Sequence, residues 1–237
     1  KVHRDKLRDF GSTRLVDTQP DFIACDDPWF RPVDVQLGPD GALYIADFYN
    51  AIIGHYEVKL DHPKRDREHG RVWRIVRKEV KPPAIANLTK LDDAGLAAKL
   101  GDMNLLIRTL ATNLLVARGK KVVEVLTEVM NEKSATPKSL AHGAWALERL
   151  GMLDDRRFED LRRNENPLVR VHLGHILGER KALGNLQKEW VSDFLDDEDA
   201  FVRRAAADTA GRHPAVEYFA PLLKAWKEAV EKDTHLV

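Results

Sequence analysis

The feature that most constrains the fold of this chain is a pattern of helical hairpins that recurs roughly every 30 residues from residue 88 onwards. The second helix of each hairpin carries one basic or histidine residue that we treat as equivalent, namely Arg108, His142, Arg170 and Arg203. These positions lie 34, 28 and 33 residues apart. Stacked two-helix repeats of this length form α-solenoids. The sequence therefore predicts a mostly α fold, with an α-solenoid over residues 88–237.

Helix-start signals support these repeats. Three of the second helices are preceded by a residue whose side chain can cap a helix N-terminus, namely Asn104, Asn166 and Asp199. Pro167 suits a first helical position. The first helix of each hairpin is amphipathic, with apolar residues on one stripe. These first helices are predicted at residues 121–130, 156–163, 186–195 and 216–230.

A different pattern precedes the repeats. Val33, Val35 and Leu37 alternate with polar residues, which predicts a half-buried strand. Residues 38–41, Gly-Pro-Asp-Gly, predict a tight turn. Return and third strands are predicted at residues 43–46 and 70–76. The predicted domains are therefore a β-rich segment over 1–80, a Pro-rich linker over 81–87 and helical repeats over 88–237.

Composition excludes several classes of protein. Lysine plus arginine equals aspartate plus glutamate at 38 each, so the net charge is zero, which argues against a nucleic-acid partner. No apolar run reaches the roughly 18 residues of a membrane span. Cys25 is the only cysteine, so neither an internal disulfide nor a Cys-x-x-Cys-His haem motif can form. The first residue is Lys1, and we expect the chain to be an internal piece of a longer protein.

The helical repeats and the β-rich segment each resemble a known family. The repeat period and the pattern Asn/Asp-x-x-(Ile/Val)-Arg resemble HEAT repeats over about residues 88–232. The stretches FRPVDVQLGPDGALYIADFYNAIIGHYEV (30–58) and LDHPKRDREHGRVWRIV (60–76) resemble the closing part of the β-propeller in bacterial membrane-bound dehydrogenase-type proteins. Those proteins are abundant in planctomycetes and verrucomicrobia. Their propellers are similar to soluble quinoprotein sugar dehydrogenases, and HEAT-like repeats commonly follow them.

The second resemblance implies that residues 1–80 are the last blade of a propeller whose other blades lie outside this chain. It implies a periplasmic or secreted location. It implies no cofactor in this chain, with pyrroloquinoline quinone (PQQ), calcium or haem belonging to the parent protein. In the quinoprotein relatives the catalytic base and most quinone contacts come from earlier blades, so no catalytic residue is carried over. Neither a Gly-x-Ser-x-Gly elbow nor a phosphate loop is found in the sequence.

Three functions remain open at this point. The first is a non-catalytic protein-interaction or structural module, since solenoids present long concave surfaces. The second is part of a quinone- or haem-linked sugar or alcohol dehydrogenase, with residues 31–76 contributing to the substrate or cofactor pocket. The third is a parent propeller that binds carbohydrate without redox chemistry. A lone blade leaves strand edges bare, so we also expect self-association, or contact with the remaining blades, through residues 31–76.

The β-rich segment holds one candidate ligand or partner surface. Its residues are Arg31, Asp34, Asp47, Tyr49 and His55. These residues would line the mouth of a propeller channel. The alternative is structural, with a buried Arg–Asp pair locking the blade. Calcium ligation is a further hypothesis for Asp34, Asp40, Asp47 and Asn50, set against turn-forming roles.

The helical part holds two more candidates. Arg108, Arg170 and Arg203 form either an anion-binding ladder or repeat-stacking contacts to an aspartate or carbonyl of the neighbouring hairpin. The second interpretation is favoured. Two groups of histidines could be considered as metal ligands, namely His55, His62 and His69, and His142, His172 and His175. The spacing of the first group matches no metal motif, and the i, i+3 pair His172 and His175 can chelate a metal but has no obvious third ligand. Hydrogen-bonded histidines are therefore favoured and no metal site is predicted.

Overall fold

The computed structural model describes residues 1–52, 54 and 57–229. The chain divides into two compact units, one of residues 1–7 and 16–86 and one of residues 8–15 and 87–237. About half of the chain is helical, and the strands of the described residues form two small sheets, neither of them closed. The prediction of a mostly α chain with a minor β part is therefore confirmed at this level.

The first sheet is a two-stranded hairpin that the sequence did not predict. Strand β1 spans Val2–Phe10 and strand β2 spans Thr13–Ile23. Gly11 in the turn has a φ of 58°, a left-handed conformation that glycine adopts without steric cost. Most side chains of both strands are exposed. The hairpin therefore lacks the apolar alternation by which strands are recognised.

The second sheet confirms the positions of the three predicted strands. The predicted half-burial of the first is wrong, because Val33, Val35 and Leu37 are 64 %, 42 % and 44 % exposed. Strands β3 (Pro32–Leu37), β4 (Leu43–Asp47) and β5 (Arg71–Ile75) form an antiparallel sheet in that order. Val35 pairs with Ile45, and Ile45 pairs with Trp73. The predicted turn between β3 and β4 is closed by a hydrogen bond from the Gly38 N–H to the Ala42 carbonyl at 2.8 Å.

The α-helices of the described residues begin after residue 92. They are α1 (Asp93–Ala98), α2 (Leu105–Arg118), α3 (Val123–Asn131), α4 (Pro137–Arg149), α5 (Asp155–Arg162), α6 (Pro167–Glu179), α7 (Asn185–Leu195), α8 (Ala200–Arg212) and α9 (Phe219–Ala229). Asn104, Asn166 and Asp199 are the N-caps of α2, α6 and α8, as predicted. None of the described helices has the length and apolarity to cross a membrane.

The equivalence assumed for His142 is wrong by two positions. Helix α4 begins at Pro137, with Thr136 as its N-cap, so His142 is the sixth residue of its helix. Arg108, Arg170 and Arg203 are each the fourth residue of theirs. The threonine–proline pair starts α4 earlier than the aligned segment suggested, because threonine caps well and proline fits the first turn.

The helices share one apolar core. A single cluster of buried side chains runs from Leu88 to Tyr218 and includes residues of every helix from α1 to α8. Phe158 of α5 and Trp190 of α7 stack with ring centroids 4.4 Å apart and planes 8° from parallel. Helices α6 and α8 approach closely at Gly178, where an added Cβ would lie 2.9 Å from the Thr209 hydroxyl oxygen. The core thus links consecutive first helices and consecutive second helices.

Candidate functional site

A seven-residue unit recurs at the start of α2, α6 and α8, at residues 102–108, 164–170 and 197–203. It consists of three loop residues and the first four residues of the helix. Its first side chain accepts a hydrogen bond from the N–H of the third residue, at 2.9, 3.0 and 2.8 Å in the three copies. The third side chain caps the helix by accepting the N–H two residues further on. We call this element the loop unit.

The seventh residue of each loop unit is the arginine that the sequence singled out. Nη1 of Arg108, Arg170 and Arg203 donates to the carbonyl oxygen of the unit's first residue, at 2.6, 2.7 and 2.7 Å. The same nitrogen donates to the carbonyl of the second residue, at 3.1, 3.0 and 3.0 Å. Each arginine therefore satisfies carbonyls of its own loop, rather than those of the neighbouring hairpin.

The partners of the remaining guanidinium nitrogens, Nε and Nη2, differ between copies. Arg170 binds the carboxylate of Asp197, in the next repeat, through Nε at 2.7 Å and Nη2 at 2.9 Å. Arg108 donates from Nε to Nε2 of His142, also in the next repeat, at 3.3 Å. Within the described chain, Nη2 of Arg108 hydrogen-bonds no protein atom. One arginine is thus closed by a carboxylate of the chain itself, and its counterpart is not.

Arg108 lines a groove along the second helices of the first three hairpins. The cavity measures about 900 Å³ and belongs to the second compact unit. Its lining residues are Arg14, Leu105, Arg108, Thr109, Thr112, Asn113, Val116, Lys138, Ala141, His142, Trp145, Arg149, Leu168 and His172. Four of these side chains are cationic and none is a carboxylate. We call this surface the α2–α4–α6 groove.

A closed ring of hydrogen bonds fixes Arg108 in the groove. His142 Nε2 accepts from Arg108 Nε, so we assign the proton to Nδ1, which lies 2.9 Å from Oγ1 of Thr112. The Thr112 hydroxyl donates in turn to the carbonyl of Arg108 at 2.8 Å. Burial, and then the positive charge of Arg108, lower the pKa of His142 to about 4. At neutral pH this imidazole is therefore uncharged and available as the acceptor for Arg108.

The far end of the groove is built around Trp145. Its indole N–H donates to Nδ1 of His172 at 3.1 Å. Burial lowers the pKa of His172, and His175 adds to the effect. The guanidinium of Arg149 lies 5.3 Å from the Trp145 ring and pairs with the exposed Glu179 at 3.1 Å. The groove therefore combines cations with an aromatic wall and neutral histidines.

In the β-rich unit, two of the candidate residues, Arg31 and Tyr49, contact a third, Asp47, through their backbone N–H groups. Its carboxylate side chain is fully buried and accepts four hydrogen bonds. The donors are the backbone N–H groups of Arg31 (2.8 Å) and Tyr49 (3.0 Å), Nε of Arg71 (2.9 Å) and the indole of Trp73 (3.0 Å). Burial raises its pKa, but these donors outweigh burial, so the pKa lies below its ordinary value. Asp47 joins the ends of β3, β4 and β5.

The remaining candidates of that surface do not converge on one pocket. The Arg31 guanidinium donates to the carbonyls of Phe30 and Ala51, at 3.1 and 3.2 Å. Asp34 is exposed and accepts the N–H of Val35. Tyr49, at a φ of 50°, places its ring 3.7 Å from the guanidinium carbon of Arg71. His55 lies outside the described residues.

These contacts test whether the cofactors that the propeller resemblance implies fit the residues of this chain. The two oxygens of Asp47 are taken up by four protein donors, so neither faces a ligand. Asp40 accepts from the Ala42 N–H and from two nitrogens of Arg74, at 2.8 and 2.6 Å. These residues therefore do not fit as calcium or quinone ligands. The described residues hold no group of three or more His, Cys, Asp or Glu side chains arranged for a metal ion.

The other histidines form local contacts. His62 accepts the N–H of Lys64 at 3.1 Å, and His69 pairs with Asp66 at 2.9 Å. His172 and His175 lie edge to face, with ring centroids 6.5 Å apart. None of these pairs includes a third side chain suited to a metal in the described structure.

Sequence reasoning missed Arg71 and Lys138. Arg71 is bound to Asp47 and Asp27 and is stacked on Tyr49. An arginine at the start of a strand carries no signal of such contacts. Lys138 lies one helical turn before His142, and this spacing was the available signal that a cation lies on the same face of α4 as that histidine.

The comparisons with known proteins bear on the β-rich part. Residues 2–79 match a family model described as a domain of unknown function (DUF7133). The match covers both β-sheets and ends before α1. No curated protein matches the chain.

Proposed function

We propose that this chain is a non-catalytic protein-interaction module, in which a HEAT-type α-solenoid presents the α2–α4–α6 groove to a partner. In this proposal residues 88–237 are the repeats and 81–87 are the linker. Residues 1–80 are the last blade of a propeller of the membrane-bound dehydrogenase type, related to quinoprotein sugar dehydrogenases. The β3–β4–β5 meander, and a family match that ends at residue 79, support this division.

The observation that carries the proposal is the recurrence of the loop unit. The same side-chain contacts precede α2, α6 and α8, so these helices leave their loops in the same way. Helix α4 packs between α2 and α6. Repeated second helices in contact form a continuous surface, which is how solenoids bind extended partners.

A site-specific photo-crosslinker tests the interaction surface. Benzoylphenylalanine at Asn113, an exposed residue of the groove, is expected to form a discrete adduct with a partner in extract of the source organism. The matched control places it at Glu128, an exposed residue of α3 outside the groove. Equal adducts at both positions, or none at Asn113, would contradict an interaction function for this face.

The strand edges of the β-rich unit form a second proposed contact. In the described sheet, β3 and β5 are the outer strands, and Val33 and Val72 on them are 64 % and 71 % exposed. Unpaired edges with apolar side chains favour pairing with other chains or blades. Sedimentation velocity at rising concentration should show self-association, and Val33→Lys with Val72→Lys should reduce it. A monomer at every concentration would contradict this contact.

The enzymatic alternative is part of a quinone- or haem-linked sugar or alcohol dehydrogenase. It is tested by reconstituting the purified chain with PQQ and calcium and assaying dye reduction with sugars. We expect no turnover, since no catalytic residue is assigned in this chain. Sugar-dependent dye reduction that requires PQQ would favour the alternative over the interaction module.

A further inference from the structure

Arg170 shows which group binds the Nε and Nη2 atoms of a loop-unit arginine. At Arg170 these atoms hold the carboxylate of Asp197 through two parallel hydrogen bonds, at 2.7 and 2.9 Å. Such fork-shaped pairs are among the strong hydrogen bonds of proteins. Asp197 stands two residues before the N-cap of the following second helix. The residue at that place before α4 is Ser134, which carries no charge.

Arg108 therefore has the same position in its repeat as Arg170, but it has no carboxylate partner like Asp197. Its Nη1 is used by its own loop and its Nε by His142, which leaves Nη2 without a protein acceptor in the described chain. The ring through His142 and Thr112 holds the guanidinium in place, so little side-chain entropy is lost when an anion binds. The arginine is preorganised for an acidic group.

Two further cations continue the same surface. No carboxylate of the described residues pairs with Lys138, which lies on α4 and lines the groove. Arg149 lies three turns further along α4 and contacts Trp145. Its partner Glu179 is half exposed and can be exchanged for an incoming acid at small cost. Several acidic groups along one ligand would therefore find partners.

The groove also presents apolar surface. Leu105 is 57 % exposed and Leu168 is 38 % exposed, one on each side of α4. Trp145 lies between the cations of the α4 face. A ligand that fits has acidic side chains interspersed with apolar ones. A purely acidic ligand would leave the apolar surface uncovered, and a purely apolar ligand would leave the cations without partners.

We infer that the α2–α4–α6 groove binds an acidic peptide segment with interspersed apolar side chains, and that Nη2 of Arg108 receives one of its carboxylates. This inference rests on the proposed interaction function and names the chemistry of the partner. Arg108 and Lys138 supply the fixed positive charge, and Leu105 and Leu168 supply the apolar contacts. Nucleic acid is a different class of anion and serves as an outcome of the test.

The test uses the full chain and a fluorescein-labelled peptide of four Glu-Leu-Asp units. Fluorescence anisotropy should show saturable binding that weakens as salt rises. Arg108→Gln should weaken binding about tenfold or more, as expected for loss of a charge-assisted hydrogen bond. The control is Arg203→Gln, which removes the same loop contacts outside the groove and should change affinity less than about twofold.

This pair of variants separates binding from folding. Both lose two carbonyl contacts of one loop unit, and Arg108→Gln also loses the bond to His142, so both thermal midpoints should fall, that of Arg108→Gln somewhat more. Equal affinity of Arg108→Gln and wild type, or no saturable binding at about 1 mM peptide, would overturn the inference. Tighter, Arg108-dependent binding of a twelve-nucleotide oligothymidylate would overturn the peptide as ligand.

A competition experiment distinguishes this inference from the proposed function. If the adduct at Asn113 forms and excess Glu-Leu-Asp peptide abolishes it, both stand. If the adduct forms and the peptide leaves it unchanged, the ligand class is wrong and the interaction function stands. A peptide of Gln-Leu-Asn units, which has the same shape without charge, should not compete.

Discussion

Arg71 donates from Nε to Oδ2 of Asp47 at 2.9 Å, and this pair fastens the start of β5 to the end of β4. The carboxylate is fully buried, whereas the guanidinium is one-third exposed and stacks on Tyr49. The charge of Asp47 is thus neutralised by one side chain, and its remaining lone pairs are satisfied by the backbone and by Trp73. A buried carboxylate with this many donors organises the surrounding sheet.

Asp47→Asn should therefore destabilise the three-stranded sheet by about 2–4 kcal/mol, since an amide nitrogen would face donors and the charge would be lost. Hydrogen exchange measured by mass spectrometry should show faster exchange in residues 43–47 and 71–75. Asp34→Asn is the control, because Asp34 is exposed and accepts only local hydrogen bonds. Unchanged protection in Asp47→Asn would contradict the role assigned to the carboxylate.

Gly178→Ala should destabilise the packing of α6 against α8 by about 1–3 kcal/mol. The new Cβ would lie 2.9 Å from Oγ1 of Thr209. That hydroxyl is held by the Gly174 carbonyl at 2.8 Å, so it cannot move away freely. Denaturant unfolding followed by circular dichroism gives the change in free energy.

Gly211→Ala is the matched control for that substitution. Gly211 lies in α8, and no atom lies within 4 Å of its added Cβ. Alanine is the better helix former, so the free energy of unfolding should rise by roughly 0.5 kcal/mol. A stabilising effect at Gly178, or equal effects at both sites, would show that α6 and α8 are not in close contact.

Phe158→Ala should cost about 3–5 kcal/mol of unfolding free energy, because it removes a buried ring and leaves a cavity. Phe158 has no exposed surface and stacks on Trp190, so this change weakens the contact between α5 and α7. Guanidinium unfolding monitored by tryptophan fluorescence measures it. Phe219→Ala is the control, since Phe219 is 71 % exposed and should lose less than about 0.5 kcal/mol.

Stability should depend on His142 between pH 4 and pH 6.5. The folded-state pKa of about 4 lies below the ordinary 6.5, so the unfolded chain binds more protons in this window. The contribution is fully present above pH 6.5 and is lost as the pH falls towards 4, by roughly 3 kcal/mol. His142→Gln, compared with wild type over the same range, should remove this part of the slope.

The Arg108→Gln variant provides an independent check of the cause. Removing the positive charge next to His142 should raise the imidazole pKa, although burial still holds it below 6.5. A titration followed by NMR of the histidine ring protons measures this shift. An unchanged pKa would show that Arg108 does not act on His142 electrostatically.

Local signals predicted most of the helical part. Asn104, Asn166 and Asp199 were identified as caps because capping depends on residues within one turn. The β1–β2 hairpin was missed because its strands are mostly exposed and charged, which removes the alternation on which strand prediction depends. His142 was aligned two positions away from its true place because the repeat pattern suggested a later helix start than the one that Thr136 and Pro137 encode.

The candidate site was only partly predictable. Arg108 was singled out from the repeat, but its acceptors are carbonyls of its own loop and a histidine 34 residues away. Lys138 and Leu168 line the same groove as Arg108 because their helices pack together, and no local sequence pattern encodes this packing. In the β-rich unit, Asp47 was singled out from the sequence, whereas its partner Arg71 lies 24 residues away and is brought to it only by the register of β4 and β5.

The self-contained loop unit has a consequence for how such a chain grows. Each arginine binds carbonyls of residues just before it in the sequence, so the contacts that hold the loop to its helix lie within a single repeat. Duplication of one hairpin in the gene would copy these contacts as well, and only the contacts between neighbouring hairpins would have to be matched. Lengthening or shortening the array by whole hairpins is therefore open to evolution and to engineering, with Asp197 and Arg170 marking one place where a new copy would have to match its neighbour.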